Sequence, residues 1–106
     1  MTYKPVDQIE LQQAIYRYLN GSKQYPPIGE WDVSAVWNMT NLFLDYCNFN
    51  EDISKWNMSN VLVADSMFRG CKSFNQDLRG WDFSKVKDAN RMFEGCSNYQ
   101  DHDPDS

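Results

Sequence analysis

The sequence predicts an α/β repeat solenoid: three turns of 25 residues, each with a short parallel strand and a short helix, behind an N-terminal capping helix. Three observations lead there. Trp31, Trp56 and Trp81 stand 25 residues apart, and so do Phe43, Phe68 and Phe93. The same step joins Phe49, Phe74 and Tyr99, then Val36, Val61 and Val86, then Ser34, Ser59 and Ser84, with Ile28, Ile53 and Leu78 in register. The step runs without insertion, which sets units at about 28–52, 53–77 and 78–102, and a separate apolar stripe of helical spacing precedes them.

That stripe lies in residues 6–20, where Leu11, Ala14, Ile15, Tyr18 and Leu19 fall on one helical face. Asp7 is placed to cap its start and Gly21 to close its end. Residues 1–27 then form the capping helix and a linker, in which Pro26-Pro27 forces an extended path. The bland role of the helix is to cover the first turn, since repeat stacks need terminal caps. A partner-binding amphipathic helix is the alternative. The solenoid occupies 28–101, and the acidic segment 102–106, within "QDHDPDS", reads as a disordered tail.

A 25-residue unit is too short for paired helices and suits a leucine-rich-like turn. "DISKW" (52–56) and "DLRGW" (77–81) are the strand candidates, and "VADSMFRG" (63–70) and "DANRMFEG" (88–95) the helical ones. Gly70 and Gly95 sit where a helix ends in a left-handed residue, a position held by Asp45 in the first copy. The repeated rings imply a core in which each ring packs on its equivalent one turn away. Asn50 and Asn75, one residue past the aromatic, suit a polar ladder along the stack.

The stretch "WNMSNVLVADSMFRGCKSFNQDLRGWDFSKVKDANRMFEGCSNYQ" resembles a repeat family first described in mycoplasma lipoproteins as a domain of unknown function. Its typical unit reads W-D-V-S-N-V-T-D-M-S-x-M-F-x-G-C-x-x-F-N-x-D-I-S. That family is related to the BspA-like leucine-rich repeats of bacterial surface proteins, with copies in protists and large DNA viruses. The resemblance covers about 28–100 and implies a solenoid with an interaction role and no catalytic residues. The chain departs from the pattern at Trp37 and Leu62, where the family has a small polar residue, and at Asp45-Tyr46 in place of Gly-Cys.

Composition narrows the function. The 106 residues carry 15 acids and 10 bases, a net charge of −5, which disfavours a basic nucleic-acid footprint and an anionic membrane surface. The first 21 residues hold no apolar run of signal-peptide length, and no stretch approaches a spanning helix. Three cysteines cannot make a full disulfide framework. These features point to a soluble, intracellular protein of the cytoplasm. Cys71 and Cys96 share a repeat position and read as small buried hydrophobes; without Cys-x-x-Cys, and with His102 as the single histidine, no zinc or other cofactor site is expected. Cys47 is out of phase with them and expected at the surface. Ser34, Ser59 and Ser84 recur once per turn and read as turn residues rather than nucleophiles. Asp52 and Asp77 are the carboxylate pair that glycan cleavage would need, although an aspartate ladder is more often structural.

The chain is therefore expected to be no enzyme but a protein-interaction or scaffolding module with an unidentified protein partner. Its candidate partner surface is Trp37, Leu44, Leu62 and Val63, apolar positions whose equivalents in the third copy are Lys87, Glu94 and Asp88. The alternative is a self-associating structural protein, a weak homodimer through the open C-terminal turn at Leu78, Trp81, Phe83, Met92 and Phe93. A glycan-binding module is the third reading.

Overall fold

A computed structural model describes residues 2–100, 102 and 104. Its one α-helix, α1, spans Gln8–Leu19. The Asp7 carboxylate accepts the Glu10 N–H at 2.9 Å, which satisfies one orphan donor of the helix, and Glu10 reaches back to the Val6 N–H just ahead of the cap at 3.0 Å. At the other end Gly21 takes a left-handed φ of 95° while the Ser22 N–H returns to the Arg17 carbonyl at 2.9 Å. Leu11, Ala14 and Ile15 are buried in the core, and Gln8 Nε2 donates to the Thr40 carbonyl at 2.8 Å. The helix thus lies across the first repeat, and a single 3-10 turn, Ile28–Glu30, leads the chain into it.

The three repeats stack as layers in the 25-residue register, but not through a sheet. Met39, Asn41, Phe43 and Asp45 donate their N–H groups to the carbonyls of Val63, Asp65, Met67 and Arg69, at 2.7–3.0 Å. Their equivalents Ala64, Ser66, Phe68 and Gly70 donate in turn to Asp88, Asn90, Met92 and Glu94, at 2.8–2.9 Å. N–H groups between them close turns within a layer instead: Leu44 to Asn41, Arg69 to Ser66, Cys71 to Phe68. Alternate peptide units therefore point along the stack, and their neighbours turn the chain. Two left-handed residues per layer make this possible: Asn41, Ser66 and Arg91 at φ 55–60°, and Asp45, Gly70 and Gly95 at φ 61–80°.

The α/β class expected from the sequence is overturned. Among the described residues no strand forms, and parallel pairing is reduced to isolated bridges, Asn38 with Val63 and Val63 with Asp88. The strand candidates 52–56 and 77–81 are turns. The Asp52 and Asp77 carboxylates capture the N–H groups two residues on, and the Trp56 and Trp81 N–H groups close onto Ile53 and Leu78. Neither 63–70 nor 88–95 is helical. A left-handed residue in mid-segment, Ser66 or Arg91, breaks the right-handed path, and in 63–70 alternate N–H groups are used between layers rather than four residues back. The alternating parallel strands and helices of a leucine-rich solenoid are therefore absent from the described residues. The expected disordered tail falls largely outside them; within it, the His102 carbonyl accepts the Leu78 N–H at 3.2 Å.

The side-chain register holds throughout. Phe43, Phe68 and Phe93 form one column of near-parallel rings, centroids 5.3 and 5.5 Å apart and planes within 4°. Phe49, Phe74 and Tyr99 form a second, at 5.8 and 5.7 Å. Each later tryptophan clamps the layer before it: Trp56 Nε1–H donates to the Ile28 carbonyl at 2.8 Å, and Trp81 Nε1–H to that of Ile53 at 3.1 Å. The asparagine ladder is present. Asn50 Oδ1 accepts the Asn75 N–H at 2.8 Å, and Asn75 Oδ1 accepts that of Gln100 at 3.0 Å.

Candidate functional site

The repeated polar side chains are occupied by the backbone. Ser34 gives both its N–H and its hydroxyl to Asp32 Oδ1, and Ser59 does the same with Asn57. Asp52 is held below its ordinary range by hydrogen bonds from Ser54. Asp77 is held lower still by the Arg79 side chain, whose Nε and Nη2 fork onto the two carboxylate oxygens at 3.0 and 2.9 Å. Both carboxylates of the glycan-cleavage reading are thus ionised turn-formers in this fold. Among the described residues no three His, Cys, Asp or Glu side chains are placed to hold a metal ion.

The cysteines separate by environment. The Cys71 and Cys96 thiols are buried and donate to the carbonyls of Phe43 and Phe68, each at 2.9 Å. Burial pushes the Cys71 thiol up to about 12 and raises that of Cys96 as well. Cys47 is exposed. Because the thiolate is the nucleophile, we expect a thiol reagent to modify the native chain once, at Cys47, and three times after denaturation. Peptide mapping of the labelled protein checks this, and native labelling at Cys71 or Cys96 would contradict the packing.

The four residues expected as a partner surface do not form one patch. Trp37 is 56% exposed, the most of the four, while Leu44, Leu62 and Val63 are half-buried. Trp37 and Leu62 are stacked in adjacent layers, with the Leu62 N–H on the Trp37 carbonyl at 2.8 Å. Leu44 instead heads the column that continues as the ion pair between Arg69 and Glu94, 3.2 Å. The neighbours of Trp37 come from the start of α1. Val6 and Ile9, 70% and 66% exposed, line with Trp37, Ala35 and Asn38 a shallow cavity of about 260 Å³. The helix therefore makes one wall beside Trp37 and does not cover it. Sequence reasoning missed Val6 and Ile9 because they lie off the buried stripe; apolar residues on an otherwise polar helix face were the available signal.

The five residues expected to self-associate lie at the third layer. Leu78, Trp81 and Met92 are buried, while Phe83 and Phe93 are half-buried.

Among the described residues no helix is long and apolar enough to cross a membrane. No curated protein and no solved structure matches the chain significantly. The family model described as a mycoplasma protein of unknown function, DUF285, matches residues 10–105, and the chain belongs to that family.

Proposed function

We propose that this DUF285 chain is a non-enzymatic interaction module that receives a protein partner on the face formed by Val6, Ile9 and Trp37. One observation carries the reading: three large apolar side chains, 56–70% exposed, converge on one cavity beside a densely packed stack. Solvent-exposed apolar clusters of this kind mark contact surfaces, and tryptophan is among the commonest hot-spot residues. The likeness of the repeat to BspA-like leucine-rich repeats of surface proteins supports an interaction role. So does the structural use of Ser34, Ser59, Asp52 and Asp77, whose side chains are engaged in turns.

The test is an Ile9→Ser, Trp37→Ser double variant. Both side chains are exposed, so its thermal midpoint should match the parent. Its affinity for partners recovered from the native cell should fall at least about thirty-fold, as expected for loss of a hot spot of about 2 kcal/mol. Undiminished capture by a correctly folded variant would place the contact elsewhere.

A further inference from the structure

A second groove opens at the far end of α1, where Tyr16 and Leu19 of the helix meet Asp45, Tyr46, Phe49 and Glu51 of the first layer. Its volume is about 450 Å³, within the range of sites for organic ligands. Tyr16 is 61% exposed, Tyr46 half-buried and Phe49 buried. Burial, and after it the neighbouring Tyr16, raises the Tyr46 phenol, which keeps the ring neutral. Among the described residues lining the groove, the only charged side chains are Asp45 and Glu51. Glu51 accepts the Tyr18 hydroxyl at 2.8 Å, and the Asp45 carboxylate accepts no hydrogen bond among the described residues. Neither carboxylate joins an ion pair there.

The repeat marks this place as exceptional. Asp45-Tyr46 stand where the later copies have Gly70-Cys71 and Gly95-Cys96. A tyrosine ring therefore lines a groove at a position that packing elsewhere fills with a small buried thiol. Asp45 holds φ 61° where its counterparts are glycines at 79° and 80°. The first layer thus keeps a carboxylate in a conformation that favours glycine, with no bond to it in return.

Rings beside unpaired carboxylates suit an organic cation. The ring faces attract it through their quadrupole, and the carboxylates and the net charge of −5 add Coulomb attraction. A bare metal ion is not served, since among the described residues no three His, Cys, Asp or Glu side chains are placed to hold one. A guanidinium uses both features at once, because it stacks flat on aromatic faces and donates in a fork to carboxylates. Ile9, Gln12, Tyr16 and Leu19 follow one flank of α1 at i, i+3, i+7 and i+10, so the groove continues the face at Ile9 and Trp37. Ile9 and Tyr16 are about 10 Å apart along the helix axis, a distance that an extended chain covers in about three residues.

We propose that the groove between Tyr16 and Tyr46 binds an arginine side chain from an extended segment of a partner protein. The choice of a protein segment over a free amine rests on the interaction role proposed above, while the chemistry of the groove stands apart from Trp37.

Titration of the full chain with a blocked Gly-Gly-Arg-Gly-Gly peptide, followed by NMR, tests this. Saturable shifts should centre on Tyr16, Tyr46 and the adjacent Cys47, with a midpoint of about millimolar for one exposed cation. Rising salt should weaken them, and citrulline in place of arginine should abolish them. Asp45→Asn with Glu51→Gln should weaken binding at least about five-fold, and Tyr16→Ser at least about three-fold. All three side chains are exposed, so these variants should keep the parent's thermal midpoint. The Ile9→Ser, Trp37→Ser variant should bind the peptide as the parent does, which lets the two surfaces fail separately. Shifts that never saturate overturn the proposal, as do equal binding of the citrulline peptide and undiminished binding by the folded groove variants. Loss of peptide binding in the Ile9→Ser, Trp37→Ser variant would move the contact to the other cavity and overturn it. Spermidine binding at least about ten-fold tighter than the peptide would assign the groove to free polyamines and overturn it too.

Discussion

Phe68→Ala is expected to lower the unfolding free energy by roughly 3–5 kcal/mol, the range for truncating a fully buried phenylalanine. Phe68 has no exposed surface and lies in the middle layer. Its ring stacks on Phe43 at 5.3 Å and Phe93 at 5.5 Å, and on Phe74 at 4.3 Å within its own layer. The cavity left behind would be walled by rings that are themselves held in columns, so little collapse can relieve it. Tyr99→Ala should cost less. Tyr99 is half-buried in the third layer, stacked on Phe74 at 5.7 Å and met edge-on by the His102 ring at 6.0 Å. Urea denaturation of the two variants gives the comparison. Equal losses would mean that the layers do not share one core.

The contrast between Phe68 and Tyr99 could be set up from the sequence, because a stack of like layers needs like side chains in register. Trp31, Trp56 and Trp81, the two ring columns and the Asn50–Asn75 ladder all stand where the 25-residue step puts them. Backbone conformation was far less legible. The left-handed position shared by Asn41, Ser66 and Arg91 is held by three chemically unlike residues with no glycine among them. Nothing in "VADSMFRG" therefore announces that its backbone reverses hand at Ser66. Interlayer hydrogen bonding imposes that conformation against local preference. The same blindness hid the interlayer hydrogen bonds, since the direction of a peptide unit belongs to the backbone and has no residue type to report it. Trp37 was legible because its third-copy equivalent is Lys87, whereas its partners Val6 and Ile9 lie outside the repeat and had no other copies for comparison.

Gly70 marks the place where residue type and backbone agree, and Gly70→Ala is expected to cost roughly 2–4 kcal/mol from left-handed strain and overpacking together. Its φ is 79°, and a Cβ built there would overlap Asp45 Oδ1 and lie 3.2 Å from the Asp45 Cα. Gly95→Ala shares the strain, at φ 80°, but its Cβ would come no nearer than 3.4 Å to Gly70. It should cost only about the strain alone, 1–2 kcal/mol. The difference between the two identifies the Asp45 side chain as the obstacle and predicts its removal as the cure. In an Asp45→Gly background, which places glycine at that repeat position in all three layers, Gly70→Ala should cost no more than Gly95→Ala does in the parent. A double-mutant cycle on residues 45 and 70 measures this as a coupling energy of about 1–2 kcal/mol, within the range for residues in direct contact. A coupling near zero would mean that the Asp45 side chain swings clear at no cost, and that the glycine column serves the backbone turn alone.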